Sequence, residues 1–438
     1  MLIKAEQRSL TREQKEAVGL LSIGTLLEYF DLMLYVHMAV LLNELFFPQT
    51  DPFTTSLLSA FAFCSTFVFR PFGALVFGYI GDTMGRRVTV VITTIMMAIS
   101  CIIMAISPTY AEIGITASVI ITLCRIIQGL SSMGEVIGAE LYVAETIQKP
   151  YRYFYVSIIP TLATTGGMLA LAVATFVTQY TLNWRYAFWA GAIIALIGTI
   201  ARSSLRETRD FVDAKQRLKR NFDLIKSSTN TSIDFSHKLI QEETNPKTFF
   251  ALFFIGCSWP VCFYLCYIHC GNILREFYNF TPSDVIQQNF IVSIIHTLSY
   301  FVLAFLSLKI HPMKIVKIKI LIFTVFSCSL PVLLNSHSEP LHILLIQLFI
   351  VIFSLTSIPA SAIFYKCFPV FQRFKCCSFT YALSRAVMHV ITSFGMIYII
   401  NRFGNFGTLL ILVPVIITFT WGILHFCKLE KEQQEIYY

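Results

Sequence analysis

The sequence predicts an all-α membrane protein with twelve transmembrane helices in two six-helix, pseudo-symmetric bundles. Three observations carry that expectation. The 438-residue chain is 56% hydrophobic and 13% charged, whereas soluble domains carry about a quarter charged residues; its mean hydropathy is +0.69. Apolar runs of about 20 residues, long enough to cross a hydrocarbon core, recur along it. One long polar stretch, 203–247, separates six of these runs from six others, a layout typical of membrane proteins built from two related halves.

The expected spans are 18–43, 55–80, 88–107, 113–143, 154–179, 186–202, 248–270, 288–308, 314–335, 340–365, 376–401 and 406–427. They divide the chain into an N-terminal segment (1–17), a first bundle (18–202), a linker (203–247), a second bundle (248–427) and a tail (428–438). An even number of spans puts both termini on one side. With that side cytoplasmic, the short inside loops hold Arg86, Arg87, Lys149, Arg152, Lys309, Lys314, Lys317, Lys319, Lys366, Arg373 and Lys375, against Arg185, Arg275 and Arg402 outside. This is the positive-inside pattern.

The net charge of +8 follows from that pattern, and no soluble basic domain points to nucleic acid. Most of the twelve cysteines (Cys64, Cys101, Cys124, Cys257 and Cys328 among them) lie in apolar runs and read as packing residues rather than a disulfide framework. Cys262, Cys266 and His269 or Cys270 share a helical face with soft-metal spacing, but packing is the simpler account and no metal is expected. The start, "MLIKAEQRSLTREQKEAVGLL", lacks the pattern of a removed signal peptide. Phosphate-binding, zinc-protease and nucleophile-elbow motifs are absent from the sequence, so neither an enzyme nor a cofactor is expected.

Charged residues inside the spans are the functional signal, because each is expensive in a bilayer. In "GTLLEYFDLMLY", residues 24–35, helical spacing puts Glu28, Asp31 and Tyr35 on one face with Met38. Arg125, Gln128, Ser132 and Glu135 make a second stripe in span four. Glu28 and Arg70 each lie ten residues inside their spans, about 15 Å deep, and the same reckoning puts Arg125 level with Tyr35. A proton carrier at Asp31 or Glu28, modulated by Arg70 and Arg125, is one expectation; a permanent ion-pair network is the other. Arg385 and His389 share a face with Tyr381 in span eleven, where an arginine could clamp a carboxylate or simply pair with an acid. His37 and His296 read as packing histidines. Pro160 with Gly166–Gly167 should loosen or kink span five.

"GYIGDTMGRR", with Gly78, Asp82, Gly85, Arg86 and Arg87, resembles the loop 2–3 signature of the major facilitator superfamily, Thr83 replacing its usual basic residue. In that family the Asp and arginines latch the halves on the cytoplasmic side. "LCRIIQGLSSMGE" resembles the family's fourth-helix signature through Arg125, Gln128, Gly129 and Gly134. "EYFD" with Tyr35, "FRPFGALVFGYIGD", "NWRYAFW" and "LRETRDF" look like the metabolite:proton symporter branch, the proline/betaine, citrate and dicarboxylate carriers. The second-half counterpart loop, near "LSLKIHPMKIVK", has lost its Asp and Gly-Arg-Arg, and the tail lacks the coiled coil of osmosensing relatives.

The resemblance implies a major facilitator fold and proton-coupled symport of a small carboxylate or zwitterion. It implies partners limited to solute, protons and lipid, a bacterial inner membrane, and function as a monomer. The alternatives are a proton-driven exporter, or a non-transporting sensor on a degenerate scaffold.

Overall fold

Prolines open many of the helices, as suits a first turn whose N–H groups have no intrahelical acceptor. In the computed structural model, which describes residues 10–48, 52–84, 86–132, 135–180, 182–203, 245–336 and 339–435, the described elements are helices. The first half of the chain holds α1 (Arg12–Phe46), α2 (Pro52–Val68), α3 (Arg70–Met84), α4 (Arg86–Ile106), α5 (Tyr110–Ile113), α6 (Ile115–Ser131), α7 (Glu135–Thr146), α8 (Tyr151–Gln179) and α9 (Arg185–Ser203). The second holds α10 (Pro246–Phe263), α11 (Cys270–Tyr278), α12 (Pro282–Leu306), α13 (Pro312–Asn335), α14 (Pro340–Phe353), α15 (Ser361–Lys366), α16 (Val370–Val390), α17 (Met396–Phe403) and α18 (Thr408–Glu435). Single π-helical stretches join α10 to α11 (Tyr264–His269) and α16 to α17 (Ile391–Gly395).

The expectation of twelve transmembrane helices is corrected. Among the described residues, eight helical stretches are long and apolar enough to cross a membrane. Within the runs expected at 88–107, 186–202 and 340–365, the apolar helices found among the described residues are the shorter Val91–Ile106, Arg185–Leu196 and Pro340–Phe353. The two expected at 376–401 and 406–427 fall in one stretch, Arg373–Glu432. The six-plus-six arrangement goes with the count. Hydropathy reports that a run is apolar, not that its helix is unbroken.

Three helix breaks matter for the site. Span two parts at Phe69, between α2 and α3, where Pro71 cannot donate to the carbonyl four residues back. Span four parts after Ser132, whose φ/ψ of −75°/73° leaves the helix. The run at 340–365 stops at Phe353, and residues 354–360 cross without helix before α15. The basic residues Lys314, Lys317 and Lys319, read above as loop charges, lie inside α13, and Arg373 and Lys375 inside α16.

Helix α8 is the spine of the packing: it lies along α1 and, from the other half, along α12. Pro160 sits within α8, which stays helical from Tyr151 to Gln179. Gly166 serves close approach instead, since a Cβ there would overlap the backbone carbonyl of Leu26 on α1. The halves meet again where α16 packs on α2, α3 and α7. Outward faces carry Val302, Phe305, Leu321, Val325 and Val332, each more than half exposed, as lipid contact requires. The linker lies almost wholly outside the described residues, as do residues 1–9 and 436–438.

Candidate functional site

A cavity of about 160 Å³ opens between the two halves. From the first half it is lined by Tyr29, His37, Phe67, Arg70 and Glu140, and from the second by Trp259, His296, Tyr300, Tyr365, Tyr381, Arg385 and His389. Of the residues singled out from sequence, Arg70, Tyr381, Arg385 and His389 face this space with Pro160 and Gly167, and so do His37 and His296, which were read as packing histidines.

The helix breaks bring the first cluster together. Arg70 begins α3 and Ser132 ends α6; the Arg70 Nη2 donates to Ser132 Oγ at 2.8 Å, and that hydroxyl donates to Glu28 Oε1 at 2.7 Å. A single serine thus bridges the acid and the base. Replacing Ser132 by Ala removes both charge-assisted bonds, and folded-state stability should fall by about 2 kcal/mol, read as earlier loss of monodisperse protein on heating.

Arg125 is fully buried. Its Nη1 donates to Gln128 Oε1 at 2.8 Å and reaches the Leu32 carbonyl at 3.4 Å, with the guanidinium 4.3 Å over the Tyr35 ring. Gln128 in turn approaches Cys101 Sγ at 3.8 Å. This cluster sits behind the cavity wall: Tyr35, Gln128 and Arg125 do not line it. Asp31, also buried, packs with Cys101 around Gly191 of α9, away from the cavity. Glu28, Asp31 and Tyr35 share a helix, but they serve different places.

Across the seam, the Tyr29 and Tyr381 hydroxyls are 2.6 Å apart. The Arg385 guanidinium lies 5.0 Å from the Tyr381 ring centroid. The His389 ring stacks on Phe67 with centroids 3.7 Å apart.

Sequence reading missed Glu140. It is buried on α7 and accepts a 2.5 Å hydrogen bond from Tyr365 of α15, across the two halves. The available signal was a carboxylate inside span four, which a single 113–143 helix put at the membrane edge. Glu135 opens α7, but its side chain and Gly134 lie outside the described residues. The same holds for Gly85 and for the side chains of Asp82, Arg86 and Arg87; the backbone places Gly78 and Asp82 in α3 and the arginines at the start of α4.

Ion pairs join the halves at both ends: Arg275 to Glu44, and Arg373 to Glu145, each 2.7 Å. Glu44 lies near the end of α1, while Gln14 near its start bonds the Thr146 carbonyl beside Glu145. The pairs are therefore separated by most of a 35-residue helix, about 45 Å. Among the described residues no group of three or more His, Cys, Asp or Glu side chains could hold a metal ion; His269 instead contacts Asn405 at 3.0 Å.

Residues 21–374 match the Major Facilitator Superfamily. The chain belongs to that family. It is a multi-pass membrane protein of a transport class, in keeping with the expectation that it is no enzyme. A putative metabolite transport protein of Haemophilus influenzae is 33% identical over 207 residues, 45% of this chain and 47% of the relative. The inner membrane metabolite transport protein YhjE of Escherichia coli is 36% identical over 208 residues, 45% of this chain and 47% of its own length. The proline/betaine transporter of Salmonella typhimurium is 32% identical over 204 residues, covering 45% and 41%. The chain spans about half the length of the curated relatives it matches.

Among solved structures, the partially occluded inward open form of the xylose transporter XylE from E. coli superposes with a TM-score of 0.73 at 16% identity, covering 95% of this chain and 98% of that one. The human organic anion transporter MFSD10 gives 0.62 at 15%, covering 95% and 100%. At these identities the likeness is one of fold.

Proposed function

We propose that this superfamily member is a proton-coupled symporter of a small carboxylate or zwitterion in a bacterial inner membrane. The two halves would alternate in exposing the cavity between them. One observation carries the reading: Glu140, a buried carboxylate on the cavity wall, holds its hydrogen bond to Tyr365 across the seam between the halves. An ionised Glu140 is the stronger acceptor and clamps the seam; a protonated one loosens it. Proton occupancy is thereby tied to the contact that must break for the cavity to change sides.

Arg70 and Arg385, which line the cavity from the two halves, favour a solute bearing a carboxylate. Similarity to proteins named as proline/betaine transporters lends support to a zwitterion. The Glu28–Ser132–Arg70 bridge adjoins the cavity through Arg70 and is the second candidate for the coupling proton. Asp31, packed toward α4 and α9, fits a helix-orienting role better.

The test is uptake of labelled proline, glycine betaine, citrate and dicarboxylates into proteoliposomes, with and without an inward proton gradient. Uptake by one of them that collapses with a protonophore is the expected result. Efflux driven by the gradient would replace the reading with an exporter. No flux in folded protein would replace it with a sensor, which the lost second-half loop signature would suit.

A further inference from the structure

The second half of the chain carries two cations at depth and no acid to match them. Between residues 245 and 438 its acids are Glu276, Asp284, Glu339, Glu430, Glu432 and Glu435, all near helix ends. Lys319 is nevertheless 5% exposed, seven residues into α13, so its ammonium does not reach water as a lysine near a helix end normally does. Among the described residues it bonds not to a carboxylate but to a hydroxyl: Nζ donates to Thr356 Oγ1 at 3.2 Å.

Thr356 belongs to the non-helical segment 354–360, and it lines the cavity with Ser357. Irregular backbone at membrane depth is tolerated where it borders such a space. Ser258 steadies the segment by donating to the Leu355 carbonyl at 2.7 Å. Thr356 accepts from Lys319, and its hydroxyl also lies within hydrogen-bonding reach of the Tyr300 phenol, so a ligand oxygen would compete with Tyr300 for its O–H. Beside it, His296 is 3% exposed, lines the same wall and has an Nε2 with no hydrogen-bond partner. The His296 ring stacks on Trp259 at 4.8 Å and meets Tyr300 edge-on at 4.5 Å.

We infer that this wall is a carboxylate subsite, in which Lys319 acts through Thr356, and His296 takes the second oxygen, while Trp259 and Tyr300 face the solute's apolar part. A cationic group is disfavoured here by charge: the Lys319 ammonium stands behind Thr356, and a desolvated ammonium beside it would be repelled strongly. The inference rests on the solute-transport reading above and adds where the carboxylate end sits. The acidic side of the cavity, Glu140, is then left for a proton or a cationic end.

Trp259 is the reporter. With Trp184, Trp189 and Trp421 replaced by Phe, Trp259 fluorescence is titrated in nanodiscs, without any gradient, with proline, succinate and citrate. Prolinamide (which keeps its ammonium), succinamide and trimethyl citrate are the controls without a carboxylate, and sodium chloride is the inorganic-anion control. At least one carboxylate should shift the signal saturably, its carboxylate-free partner needing at least about tenfold more. Lys319→Met should bring the two within about threefold of each other. Thr356→Val, which keeps the charge and removes only the hydroxyl, should also narrow the gap and decides the matter if Lys319→Met does not fold.

The inference is overturned if no carboxylate shifts the signal, if the amide or ester binds equally, if chloride gives the same response, or if a folded variant keeps the preference. Carboxylate preference without gradient-driven uptake sinks the transport reading and leaves the subsite standing; uptake with preference unchanged in both variants does the reverse.

Discussion

Glu140→Gln should abolish proton-driven accumulation of solute, by about 100-fold or more, while exchange of labelled for unlabelled solute across the same membrane persists. Gln keeps the shape and an oxygen that can still accept from the Tyr365 hydroxyl, 2.5 Å away in the native chain, but it can neither ionise nor take up the proton. It therefore holds the seam permanently in its looser, protonated-like form. Counterflow reads opening and closing of the cavity, and gradient-driven uptake reads coupling, so comparing them separates the two. Loss of both activities would recast Glu140 as a structural residue. Retention of both would move the proton to Glu28. Tyr365→Phe, which removes the donor and leaves the acid, should weaken uptake less.

Two adjacent glycines should respond oppositely to the same substitution. Alanine is favoured over glycine within a helix by about 1 kcal/mol, and nothing opposes that gain at Gly167, where a Cβ meets the flexible Met33 side chain at 3.5 Å. Gly167→Ala should therefore be neutral or slightly stabilising. At Gly166 the new Cβ would strike the Leu26 carbonyl and crowd the Phe30 amide, both backbone of α1. Neither rotamer change nor small shifts relieve that contact, so α1 and α8 must separate. Gly166→Ala should be destabilised by about 3 kcal/mol, the upper end for overpacking, and Gly166→Leu should scarcely accumulate as folded protein. Fluorescence-detected chromatography after heating reads both. Equal behaviour of the two alanine variants would mean that α8 does not pack on α1 in this register.

How much of this was legible in the chain varies with the range of the interaction. Helical rise alone put Arg125 level with Tyr35, and the guanidinium lies over that ring. Spacing likewise put Tyr381, Arg385 and His389 on one face, and all three line the cavity. The family was readable from "GYIGDTMGRR" and "LCRIIQGLSSMGE", because a tight basic turn and an intramembrane arginine are local patterns. By contrast, the serine that joins Glu28 to Arg70 acts only because two helices break at that point, and hydropathy is blind to a break within an apolar run. Hydropathy also led to twelve expected spans, where the described residues contain eight stretches long and apolar enough to cross.

Glu140 was missed and Lys319 misread for a related cause. Lys319 was counted among the loop charges and Glu140 was not singled out, whereas the fold buries each against an element distant in sequence: Thr356 for Lys319, Tyr365 for Glu140. Asp31 erred the other way, sharing a helix face with Glu28 yet packing beside Gly191 rather than on the cavity. The sequence by itself determined that this is a helical membrane protein of the facilitator kind with ionisable groups at depth, since both follow from composition and from patterns within a few turns of helix. Only the tertiary structure decided which of those groups share a cavity, because that depends on where helices break and on which neighbours, hundreds of residues away, close around them.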